Sequence, residues 1–171
     1  MRVNAIEARV TKRGRTTSAI LFSVARQSFA IAAETVQEVR STDGLTSAAS
    51  EFRPSGFPSI RHTLDHGGRI YYVVNACIHF TLPVTRPSLV LILRPIRVAI
   101  LVDLIERMAE ILAPSPLPNV FQGKERTWYS GLTQAGEQVI PVLNPYGLVP
   151  PEEVERLDAL VESQAQSAVL R

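Results

Sequence analysis

The sequence predicts a mainly β fold made of two similar small barrel-like units with a joint core, and three observations predict it. The chain has 171 residues, 46% hydrophobic and 20% charged, which is enough for one domain with a buried core and unlike a disordered chain, a collagen or a coiled coil. Its apolar residues come in short runs rich in β-branched, leucine and aromatic side chains, separated by connections of turn length. The runs also recur. Slid against itself by 69 residues, the sequence places Leu21 to Val24 on Val90 to Leu93, Phe29 to Glu34 on Val98 to Asp103, and Val36 on Ile105. The same shift puts Gly67 on Gly136, Ile70 on Val139, Val73 on Val142 and Asn75 on Asn144. Two copies are too few and too long for a solenoid, and a unit of about 70 residues buries too little surface to stand alone, so a shared core is expected.

Taken in order, residues 1–17 carry Arg2, Arg9, Lys12, Arg13 and Arg15 against Glu7 and are expected to form a weakly ordered basic arm. Ala19 to Val24 and Phe29 to Ala33 read as a strand pair joined by Arg26-Gln27-Ser28. Glu34 to Val39 suits either a helical turn or a strand. Ser41 to Ser59 has the Ser, Thr, Gly and Pro content of a long surface loop, whose Phe52 and Phe57 need a home in the core or on a partner. Thr63 to Val74 is a hairpin around Asp65-His66-Gly67-Gly68, and Leu89 to Leu93 with Val98 to Val102 is another around Arg94-Pro95-Ile96-Arg97. Asp103 to Leu112 reads as a helix, with Leu104, Ile105, Met108, Ile111 and Leu112 as its apolar stripe and Pro114, Pro116 and Pro118 ending it. Trp128 to Leu132 and Val139 to Leu143 form a last hairpin, completing a body of residues 18–150. Residues 151–171 hold a C-terminal helix from Glu152 to about Gln166 and a tail.

The chemistry classes narrow quickly. Lys plus Arg exceed Asp plus Glu by only two charges, which excludes nucleic-acid binding driven by charge over the whole surface. The lone Cys77 makes no internal disulfide, reads as a buried small hydrophobe and fits a reducing cytoplasm. Ser88 to Ile105 is broken by Arg94, Pro95, Arg97 and Asp103, so it is no lipid-facing span. G-x-S-x-G, P-loop and H-E-x-x-H motifs are missing, and no catalytic residue is assigned. His62 and His66 are four apart beside Gly67-Gly68, where a solvated turn is expected and not a metal site; Asp103, Glu106 and Glu110 read as acids of a first helical turn. No metal or cofactor is expected.

In this order the elements resemble the CheW-like domain family of bacterial chemosensory systems, from about Ser18 to Leu148. Val36-Gln37-Glu38-Val39 after Phe29-Ala30-Ile31 is similar to the family's V-x-E-V segment. Val98 to Asp103 resembles its V-G-L-x-V-D with Ala99 for glycine, and Tyr129 to Leu132 leading into Val139 to Asn144 resembles its last hairpin. The central signature R-G-V-x-N-L-R-G-x-x-x-P-V-x-D departs: Arg61 and Gly68 persist, while Asp65, Gly67, Tyr72 and Asn75 stand for Asn, Arg, Pro and Asp. The resemblance implies two intertwined five-stranded SH3-like barrels. It also implies a non-catalytic adaptor that binds the regulatory domain of a CheA-like histidine kinase and the cytoplasmic tip of methyl-accepting chemoreceptors, the missing arginine belonging to the partner-binding surface.

Within that reading the candidate partner-binding residues are Arg61, His62, Asp65 and Arg69 around the altered hairpin, with Glu38 and Arg40 at the end of the V-x-E-V element. The competing class is a small β-barrel nucleic-acid binder, whose basic arm would embrace phosphates while Tyr71, Tyr72, Trp128 and Tyr129 stack on bases.

Overall fold

The computed structural model describes residues 15–44, 49–52 and 54–170. Among them are eleven strands: β1 (Thr16–Val24), β2 (Gln27–Ala32), β3 (Val36–Ser41), β4 (Ala49–Glu51), β5 (Ile60–His66), β6 (Arg69–Asn75), β7 (Leu89–Leu93), β8 (Val98–Val102), β9 (Leu104–Leu112), β10 (Tyr129–Ala135) and β11 (Gln138–Leu143). Three single-turn helices, α1 (Ala76–His79), α2 (Glu125–Trp128) and α3 (Pro145–Leu148), precede the long helix α4 (Pro151–Val169).

The repeat is a structural one. Shifting β5 by 69 residues lands on the bounds of β10, and shifting α1 lands on those of α3. Asn75 and Asn144, which the shift superposes, do the same job: each side-chain oxygen accepts a backbone N–H, from Ile78 and Tyr146, and so caps the helical turn that follows. Gly67 and Gly136 both take positive φ, 61° and 63°, at the hairpin tips, the conformation that glycine adopts without strain.

One sheet has the order β10-β11-β2-β1-β9 and the other β3-β7-β8-β6-β5-β4. Replacing each strand of the first by its equivalent 69 residues away gives the order of the second, with β4 added at the edge. Each sheet therefore takes one hairpin from one repeat and three strands from the other, joined through the parallel pairs β2–β11 and β6–β8. This is the intertwined architecture expected. The ladders do not close into full barrels: in the first sheet a single bridge, Ser115 to Leu132, joins the ends, and in the second the short β4 pairs Ser50 with Thr63 at the equivalent place.

Three apolar clusters result. Leu21, Ala30, Ile140 and Val142 fill the first sheet's concavity, and their repeat equivalents Val90, Ala99, Tyr71 and Val73 fill the second's. The largest cluster lies between the sheets and draws on both repeats, with Phe22 on Phe29, Phe29 on Phe80 and Phe80 on Tyr129 stacked at ring separations of 5.7, 4.9 and 6.0 Å. Phe52 and Phe57 are buried in it, so the loop's apolar side chains belong to the core. Helix α4 starts with Pro151 in its first turn, buries Val154 and Leu157, and is tied down by Asp158, which accepts from Tyr72 Oη at 2.6 Å and from Arg97 Nη2.

Two expectations change. Asp103 to Leu112 is not a helix: Leu104–Leu112 is β9, an edge strand antiparallel to β1. Leu104, Met108 and Leu112 are four apart, a spacing that a strand of period two satisfies as well as a helix does, and long-range pairing with Thr16 to Ser23 selects the strand. Asp103 is accordingly no cap. Its carboxylate accepts from Ala25 N at 2.7 Å and Thr85 Oγ1 at 2.7 Å, holding the β1–β2 turn in which Ala25 and Arg26 both have positive φ. Ser41 to Ser59 is not wholly loop, since it contains a 3-10 turn, Thr42–Gly44, and β4. Of the expected basic arm, Thr16 and Thr17 already belong to β1, and residues 1–14 lie outside the described residues.

Candidate protein-docking site

Strand β3 and the hairpin β5–β6 stand toward opposite ends of the second sheet's ladder, and side chains bridge them. Glu38 and Arg40, two apart, share a face of β3, and Arg40 grips Glu38 through Nε to Oε1 at 2.7 Å and Nη2 to Oε2 at 3.2 Å. From the hairpin tip, His66 presents Nδ1 to Arg40 Nη2 at 3.0 Å and lies 3.7 Å from Glu38 Oε2. A guanidinium only donates, so Nδ1 accepts from Arg40, while the other ring nitrogen, Nε2, lies 3.2 Å from Gln37 Nε2. Tyr71 completes the group, meeting His66 edge-on at 5.5 Å and donating to Gln37 at 3.5 Å. The Arg40 hydrogen bond, aided by the Arg40 charge, holds the Glu38 carboxyl below the usual carboxylate range, and Glu38 raises Arg40 in return. On the opposite face of β3, Val39 is 41% exposed.

The six predicted residues thus do not form one patch. Glu38 and Arg40 join His66. Arg61 and His62 sit at the β-bulge between Ile60 and His62, where Arg61 is half-buried and its Nε is shut from solvent without a partner among the described residues. Asp65 is exposed, and its Oδ1 accepts from Gly68 N at 3.1 Å, closing the turn. Arg69 stands across from His66 in register but lines the clefts beside α4. Sequence reasoning missed His66, Gln37 and Tyr71 as members. The signal present was the β alternation of Gln37 to Arg40, which sets Glu38 and Arg40 side by side; nothing in the sequence pairs them with a histidine 26 residues beyond Arg40.

Other chemistries find little here. No group of three or more His, Cys, Asp or Glu gathers to hold a metal among the described residues. His79 is in the joint core, where burial pushes its pKa down to about 4. Glu106 and Glu110 bond Ser28 and Ser18 along the edge of the first sheet. Cys77 is buried 3.2 Å from Thr85 Oγ1. Tyr71, Tyr72 and Tyr129 are buried and Trp128 is half-buried, so the aromatics that a base-stacking surface needs are core residues. No helix among the described residues is long and apolar enough to cross a membrane.

The fold and its surface define a class: a duplicated, strand-exchanged β domain whose exposed features are edges, hairpin tips and ion-paired clusters of the kind that contact other proteins. The family model of the CheW-like domain matches residues 18–153, and the chain belongs to that family. Among solved structures, it is similar to the scaffolding protein TtCheW from Thermoanaerobacter tengcongensis, with a TM-score of 0.63 and 15% identity over 81% of this chain and 96% of that one, a likeness of fold. Among curated protein sequences none matches significantly.

Proposed function

We propose that this chain is a non-catalytic adaptor of a chemosensory signal-transduction system in the cytoplasm, binding the regulatory domain of a CheA-like histidine kinase and the cytoplasmic tip of chemoreceptors. The observation that carries the reading is the CheW-like family match across both repeats, on a chain whose strands interlock as that resemblance implies. The physical logic is that of a shape-giving protein: two sheets locked by a common core hold hairpin tips and edge strands rigidly enough for modest, reversible interfaces of about 1,000 Å2 or more. On this reading Arg61, His62, Asp65 and Arg69, with Glu38 and Arg40, supply partner contacts at the β5–β6 hairpin and β3.

The test is capture of the cognate kinase regulatory domain or receptor tip by the purified chain. Arg61→Gln combined with Asp65→Asn removes both charges while the asparagine oxygen can still accept from Gly68 N. We expect weaker capture with unchanged circular dichroism and melting. Capture equal to that of the parent removes this hairpin from the interface.

A further inference from the structure

We infer that the cleft between the start of α4 and the hairpin tips of the second sheet is a docking site for an acidic segment of a partner protein, one that sets a carboxylate beside an apolar side chain. The inference deepens the adaptor reading and rests on it for the existence of a partner. The cleft measures about 200 Å3 and is lined by Arg69 and Arg97 together with the apolar Pro95, Ile96 and Val154 and the ring of Tyr146. Its lining holds two guanidiniums and no carboxylate.

The two arginines differ in a way that suits recognition. Arg97 is fixed: Nη1 donates to the Ile70 carbonyl at 2.7 Å, and Nη2 donates to Asp158, which Tyr72 also holds. Arg69 is exposed, and its side chain makes no hydrogen bond or salt bridge among the described residues, although its charge helps hold the Asp158 carboxyl down. The cleft therefore offers one rigid guanidinium bonded to Asp158 and one exposed guanidinium that has no hydrogen-bond partner among the described residues and shares only the long-range field of Asp158. Beside them Tyr146 is 54% exposed, and its hydroxyl has no bond among the described residues. A carboxylate entering the cleft meets the Arg69 guanidinium, whose planar fork can hold it bidentately, with Tyr146 on the same lining as a further donor.

Neighbouring charges direct the group to this place. The adjoining cleft of about 340 Å3 shares Arg69 and Arg97 but has Asp158 and Glu162 in its wall, which repel an acid. Glu152 and Glu153, in the first turn of α4, line a different cavity with Phe57 and Trp128. The apolar walls select a peptide over a bare anion, because a phosphate would leave Pro95, Ile96 and Val154 unused.

The test uses the full chain and two fluorescein-labelled peptides, one alternating Glu and Leu and the other with every Glu changed to Gln, read by anisotropy. The Glu peptide is expected to bind saturably and to weaken with salt, and the Gln peptide to bind about tenfold less tightly or not at all. Arg69→Glu should weaken the Glu peptide about tenfold, while Arg86→Glu, an exposed arginine of the connection before β7, leaves it unchanged. Equal binding of the two peptides, equal binding by Arg69→Glu, no saturable binding, or displacement of the peptide by inorganic phosphate at millimolar concentration each overturns the proposal. Failure of the peptide alongside persistent capture of the kinase domain removes this site and leaves the adaptor reading standing. Loss of capture with the peptide still held at Arg69 removes the adaptor reading instead.

Discussion

Acidification from pH 7 to 4.5 is expected to weaken the folded state by about 2 to 3 kcal/mol through His79 alone. The ring ends α1, from the first repeat, and lies 4.4 Å from Trp128 of the second and 5.0 Å from Phe80. Its Nδ1 is 3.3 Å from Ser59 Oγ, and its Nε2 is closed off from solvent with no partner among the described residues. Burial pushes the pKa down to about 4, against about 6.5 in an unfolded chain. Between those values the unfolded chain binds a proton that the folded chain refuses, so stability falls as pH falls, by about 1.4 kcal/mol per pH unit. Above about pH 6.5 the effect vanishes, and below about pH 4 it levels off. Carboxylates also titrate at the acid end, so the measurement is a difference: urea unfolding of the parent and of His79→Phe, which keeps an aromatic ring and cannot titrate, at both pH values. The parent should lose about 2 to 3 kcal/mol more than the variant on acidification. Equal losses would refute the burial of His79 between the repeats, and with it the interlocked core drawn here.

Three further outcomes follow from the duplication and from α4. Asn75→Ala and Asn144→Ala should each cost about 1 kcal/mol of stability by urea unfolding, and the double variant about their sum, since the two caps serve separate turns. Gly147→Ala should lower the melting temperature and cost about 2 kcal/mol or more, because a Cβ there runs into the Thr127 carbonyl; Gly67→Ala meets open space and should cost about 1 kcal/mol for its positive φ alone. Asp158→Asn should cost about 1 kcal/mol at neutral pH by loosening Arg97 and Tyr72. Burial pushes the Asp158 carboxyl up, but hydrogen bonds from Arg97 and Tyr72 hold it below its ordinary range, so this contribution is present above about pH 4 and fades as the pH falls through the folded-state pKa, where parent and variant should converge.

Much of the fold was legible because it is written twice. The β-branched runs place β6, β7 and β8, and the 69-residue recurrence places their equivalents and the joint core. The same recurrence also held the correction to the expected helix: it sets Val36 on Ile105, so β3 and β9 are one element in two copies, and a strand in the first argues for a strand in the second. Local periodicity cannot make that choice, because Leu104, Met108 and Leu112 fit both periods and the decision lies in pairing with Thr16 to Ser23, some 90 residues away. The candidate docking site was legible residue by residue but not as a geometry. Glu38 and Arg40 were within reach of strand alternation, whereas their meeting with His66 depends on how far the second sheet curls. Arg69 was assigned to the same hairpin surface, yet it lines the clefts beside α4, and its companions Arg97 and Asp158, far from it in sequence, are brought to it by tertiary packing alone.

The claim beneath all of this is that the chain acts by docking and not by chemistry. Its most direct test is titration calorimetry of the purified chain against the isolated regulatory domain of its cognate CheA-like kinase. A saturable complex that Arg61→Gln with Asp65→Asn weakens, while the fold stays intact, is the predicted result. Two folded proteins that release no heat and form no complex at micromolar concentrations would contradict it.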